Sequence, residues 1–115
     1  MEIGDRITLT GSYDPEPAWH AERTHHPATV IAFIQGHNDT PALVARLDEP
    51  ISVDGFTGDI AVMELRWVGA RWEHDAVAHF ELCDFEPEDV PWQERRRGRW
   101  VESHTTVLKG TVRAS

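Results

Sequence analysis

Glu64, Arg66, His79 and Glu81 are the residues of this chain whose types come nearest to a proton-transfer site. A histidine among carboxylates at hydrogen-bond distance is what general acid–base catalysis requires. In a chain of alternating apolar and polar residues, these four share the outward side of two neighbouring strands, where opposite charges also stabilise cross-strand pairing by roughly 0.2–1 kcal/mol per pair. Register decides between the two readings. If Arg66 stands directly across from Glu81, the cluster is structural. No phosphate-binding glycine loop, Gly-x-Ser-x-Gly elbow or His-Glu-x-x-His motif accompanies it, so the sequence names no catalytic residue, metal or cofactor.

Seven histidines invite a metal reading, but their spacing resists it. His79 and Cys83 lie on one face of one strand about 13 Å apart, too far to ligate one ion. His25 and His26 diverge if the chain is extended there. His20, His25, His26 and the distant His104 do not have the tight, repeated spacing of zinc sites and read as polar-loop histidines. Cys83 precedes Asp84, Glu86, Glu88 and Asp89. Negative neighbours oppose thiolate formation, so it reads as a strand cysteine and not a nucleophile.

A different chemistry gathers in PWQERRRGRW, residues 91–100, where Arg95, Arg96, Arg97 and Arg99 are bracketed by Trp92 and Trp100. Tryptophan and arginine are the residues most enriched at interface hot spots, and Trp19 and Trp72, in connecting segments, add to the set. Three uses compete. The arginines can hold nucleic-acid phosphates with the tryptophans stacking on bases; they can fold back on the chain's own acids; or acidic body and basic segment can serve as complementary halves of a protein interface, including one between two copies.

Charge weighs on that choice. The chain carries 11 basic and 20 acidic residues, net −9; residues 1–90 contribute −13 and residues 91–115 contribute +4. A body of that sign repels phosphate and attracts basic partners, which makes nucleic acid the weaker reading. The N-terminus lacks the basic and apolar regions of a signal peptide, no apolar run is long enough for a transmembrane helix, and the single cysteine permits no internal disulfide. A cytoplasmic protein with no membrane contact is the expectation.

The elements that would position these residues are strands. Ile7 and Leu9 alternate with polar residues in GDRITLTGSY; TVIAFIQ (29–35) is apolar on both faces; PALVARLDEPI (41–51), IAVMELRWV (60–68) and AVAHFELCDF (76–85) follow with period two. Residues 14–28 read as a long polar loop and 53–59 as a glycine-containing loop. Pro91, preceded by Asp89, suits the first turn of a short helical segment near residues 90–97, ended by Gly98. Five or six short strands of this kind predict an all-β fold, a small antiparallel barrel with a long first loop. The domain is expected over residues 1–108, with residues 109–115 as a flexible tail.

In layout, GDRITLTG, ATVIAFI, ALVARLDEPI and VAHFELCDF resemble SH3-like barrels, which open on a Gly-Asp strand and place their longest loop after it. The resemblance covers about residues 4–85 and is one of pattern. The ALYDY-type motif, the tryptophan pair and the terminal Pro-x-x-Tyr of peptide-binding SH3 domains are absent, and the only tyrosine is Tyr13, so no functional residue carries over. The functional expectation is a non-enzymatic protein-binding or adaptor module, with a basic protein or a second copy as partner. A weak nucleic-acid binder using Arg95 to Arg99 and a small enzyme built on His79, Glu81 and Glu64 are the alternatives.

Overall fold

A computed structural model describes residues 2–11, 25–36, 40–53, 55–64, 66–68, 71–73, 77–90, 94 and 105–114. Eight strands run through them: β1 (Arg6–Gly11), β2 (His25–Gln35), β3 (Pro41–Val53), β4 (Phe56–Glu64), β5 (Arg66–Val68), β6 (Arg71–Glu73), β7 (Val77–Cys83) and β8 (Thr105–Ala114). The fold is antiparallel and all-β, and no helix of a full turn occurs among the described residues. Six strands pair in the order β1-β2-β3-β4-β7-β8, and β8 pairs back onto β1 from Ile7↔Ala114 to Gly11↔Gly110, closing the ring. Each of the six strands thereby has a paired neighbour on both sides. β5 and β6 form a separate two-stranded sheet inserted between β4 and β7.

Alternation determines what lies inside. Ile7 and Leu9 of β1, Ala28 and Val30 of β2, Leu43, Ala45 and Leu47 of β3, Ala61 and Met63 of β4 and Leu82 of β7 form one buried cluster, with Ile51 beside them. The intervening residues of β2, β3, β4 and β7 form a second buried cluster on the outer face: Ile34, Ala42, Val44, Ile60, Val62 and Cys83, with Ile31, Ala32 and Phe85 packed against it. Two apolar faces explain why TVIAFIQ has no polar side. Between them lies a β-bulge at Val30/Ala32, where Val30 pairs with Ala45 and Ala32 with Val44. The extra residue, Ile31, resets the alternation, so that Val30 and Phe33 join the inner cluster while Ile31, Ala32 and Ile34 join the outer one.

Three sequence expectations are revised. The polar loop does not extend to residue 28: β2 begins at His25, and His26, opposite Leu9, is buried at 5% exposure and not a surface histidine. The loop at 53–59 is a two-residue hairpin, since Val53 already pairs with Phe56; Asp54-Gly55 is a sequence signature of such a turn, and Gly55 has φ 83°, a conformation that favours glycine. Residues 109–114, expected as part of a tail, are strand β8. The helical turn expected at 90–97 falls outside the described residues except for Val90 and Glu94, which is exposed.

Candidate functional site

The proposed acid–base group separates in the fold. Arg66 does not face Glu81. It stands opposite Glu73 in the β5–β6 sheet, while Glu81 of β7 faces Val62 of β4 and Val107 of β8. His79 faces Lys109, and Glu64 faces Ala42 at the end of β4, its carboxylate so near Gly36 that a Cβ there would come within 2.9 Å of Oε1. The insertion that carries Arg66 away is the reason: β4 ends at Glu64, and the next strand belongs to another sheet. Cys83 is fully buried, and its Sγ–H is directed at the carbonyl of Glu81 at 3.7 Å. Among the described residues no three histidines, cysteines or carboxylates are grouped to hold a metal ion.

Of the tryptophan and arginine candidates, the structure places one. Trp72 lies on β6 directly opposite Trp67 of β5, with Arg66↔Glu73 and Val68↔Arg71 on either side. Sequence reasoning assigned Trp67 to a core strand and Trp72 to a connection and so missed the pair. The signal was the near-symmetric RWVGARWE, in which two Arg/Trp-containing triplets flank Gly69-Ala70. Trp19, Trp92, Arg95, Arg96, Arg97, Arg99 and Trp100 lie outside the described residues.

The outer face of β2, β3 and β4 is crossed by residues 84–90, which leave β7 after Cys83. Phe85 packs on the outer apolar cluster, Glu86 forms an ion pair with Arg46 of β3, and the Gln35 amide of β2 donates to Asp89 Oδ1 at 3.0 Å. Arg46 also reaches Asp59 at 3.5 Å. The chain can leave β7 in this direction because Gly58 yields space: a Cβ there would lie 2.4 Å from the Cys83 carbonyl oxygen.

The crossing segment brings Asp84, Glu86, Glu88 and Asp89 to the surface, all exposed, with Arg46 alongside. Round the ring, Arg6 donates to both carboxylate oxygens of Asp48, at 2.7 and 2.5 Å, and to Thr29 Oγ1 at 2.7 Å. That hydrogen bonding, and secondarily the charge of the guanidinium, holds the Asp48 carboxyl below the usual aspartate range and raises Arg6. The arrangement therefore offers exposed carboxylates on the crossing segment and, on a separate hairpin, two tryptophans in cross-strand register. Such a surface can attract and orient a cationic partner.

The chain matches no protein family, no curated protein and no solved structure. Among the described residues no helix is long and apolar enough to cross a membrane.

Proposed function

We propose that this chain is a protein-binding module of SH3-like barrel architecture whose partner is a basic protein segment. One observation carries the reading: Trp67 and Trp72 are direct cross-strand partners on a hairpin that joins none of the six strands of the ring. A two-stranded hairpin is marginally stable alone. Tryptophans are also the residues that most often dominate binding energy. The exposed acids of residues 84–89 supply the long-range attraction for a basic segment, and they disfavour a polyanion. The six-stranded meander, with its long connection between β1 and β2, supports the SH3-like assignment.

The test is a titration with a lysine- and arginine-rich peptide, an acidic peptide of matched length and a single-stranded oligonucleotide, at 50 and 300 mM salt. The basic peptide binds, weakens at higher salt, and loses about tenfold or more in affinity on Trp72→Ala, the usual loss at a hot spot. Binding of the oligonucleotide in its place, or a Trp72→Ala variant that binds the peptide like the parent, refutes the proposal.

A further inference from the structure

The hairpin β5–β6 begins where β4 ends. Arg66 follows Glu64 by two residues, so their Cα atoms lie within about 7 Å of each other. Glu64 marks one end of the ring, where it pairs with Ala42, beside Gln35↔Pro41, the last pair between β2 and β3. Its carboxylate stands over that junction: a Cβ on Gly36 would meet Glu64 Oε1 at 2.9 Å and Cγ at 3.1 Å. The preceding residue, Gln35, donates its amide to Asp89 Oδ1 at 3.0 Å. Glu88 is kept beside it by a tight turn, in which the Val90 amide donates to the Glu88 carbonyl at 2.9 Å. Gln35-Gly36, Glu64 with Arg66, and Glu88 to Val90 are far apart in sequence, and the fold brings them to one end of the barrel. That end is the root of the tryptophan hairpin.

Carboxylates elsewhere on the ring are differently placed. Asp48 is paired with Arg6, and Asp59 and Glu86 are both paired with Arg46. Each already holds the cation that a basic partner would offer, and exchanging one exposed ion pair for another returns little. Glu88 and Asp89 are exposed at the hairpin's root. The Gln35 amide fixes the Asp89 carboxylate before any partner arrives, which lowers the ordering cost of binding. From this juxtaposition we propose that Glu88 and Asp89 are the specificity-determining carboxylates of the tryptophan hairpin site. The partner's segment lies on β5–β6 and continues across this end of the ring, where its lysine or arginine side chains meet Glu88 and Asp89. The inference rests on the reading of the chain as a module for basic segments and adds where that segment lies. It also sets the chemistry of the partner: its cations flank the residues that meet the tryptophans and do not coincide with them.

The lysine- and arginine-rich peptide is titrated into the full chain at 50 and 300 mM salt, with Glu88→Gln and Asp89→Asn as test variants and Asp59→Asn as the control. All three remove one negative charge, so they alter the overall field alike, and asparagine at 89 keeps an oxygen for the Gln35 amide. Glu88→Gln and Asp89→Asn each weaken binding about two- to fivefold at low salt, the range of one exposed ion pair, and make its salt dependence shallower. Asp59→Asn changes neither, because its carboxylate lies toward the other end of β4 and is paired with Arg46. Far-UV circular dichroism is the same in all four proteins. A parent that binds the peptide and loses affinity on Trp72→Ala, yet binds it equally well as Glu88→Gln and Asp89→Asn, overturns this inference and leaves the functional reading standing. So does an equal loss in Asp59→Asn, which would make the effect one of net charge. A parent that does not bind the peptide refutes both.

Discussion

Replacing Gly58 with alanine tests the close approach of β4 and β7, on which the path of the crossing segment depends. The added Cβ would lie 2.4 Å from the Cys83 carbonyl oxygen, 2.9 Å from its carbon and 3.0 Å from Leu82 Cγ. Two of these three atoms are backbone, and Cys83 is fixed by pairing with both Ile60 and Thr105, so relief requires moving a strand. Overpacking of this kind costs about 1–3 kcal/mol. Against it stands a gain of about 0.4–1 kcal/mol from the restricted unfolded chain. A net loss of about 1–2 kcal/mol is expected, which at a urea m-value of about 2 kcal/mol/M lowers the midpoint by about 0.5–1 M. Gly55→Ala provides the comparison. Its φ is 83° and nothing lies within 4 Å of an added Cβ, so its cost is purely conformational, about 1–2 kcal/mol. Asparagine separates the two mechanisms, because it tolerates the left-handed region but adds bulk. Gly55→Asn recovers most of the loss, and Gly58→Asn is worse than Gly58→Ala. A Gly58→Ala variant as stable as the parent, or one improved by asparagine, refutes the close approach.

Two further outcomes follow from the core and from the Arg6–Asp48 pair. Leu43→Ala, at a fully buried inner position, lowers stability by about 2–5 kcal/mol in urea unfolding; a loss below about 1 kcal/mol would place Leu43 outside the core. Asp48 has a folded pKa held below its unfolded value by Arg6, so its contribution is fully present above the ordinary aspartate value of about 3.9 and is lost as pH falls through the lower folded value. The Asp48→Asn variant is therefore less stable than the parent near neutrality, and the difference closes in acid; a difference independent of pH would show that the ion pair is not its source.

The strands were legible in the sequence because their pattern has one cause, burial on alternate sides. Ile7 and Leu9, Leu43, Ala45 and Leu47, and Ala61 and Met63 are inside as the alternation requires. His26 was legible too: it shares parity with Ala28 and Val30, yet the proline and neighbouring polar residues suggested a loop. Tertiary pairing of His26 with Leu9 and of Pro27 with Thr8 carries the strand through them. The candidate site was harder to read. Whether Arg66 meets Glu81 depends on where β4 stops, and nothing local distinguishes Glu64-Leu65-Arg66 as a boundary between sheets. The partner of Arg66 is set by the pairing of β5 with β6, three residues on each strand, in place of a continued β4. The outer cluster escaped notice for a related reason, since apolar residues on the second face have meaning only once a segment more than twenty residues away in sequence crosses them.

Ring closure has a consequence for how the chain must be made. β1 and β8 pair Ile7 with Ala114, so the contact that completes the fold joins residues more than a hundred apart, and closing so long a loop has a high entropic cost until the intervening strands have shortened it. On the ribosome, β1 through β7 emerge before their last neighbour exists. During that interval β1 and β7 are open edges on a sheet with apolar faces, a state prone to pairing with other chains. The ten residues of β8 pair with both of those edges, so one late strand protects two earlier ones at once.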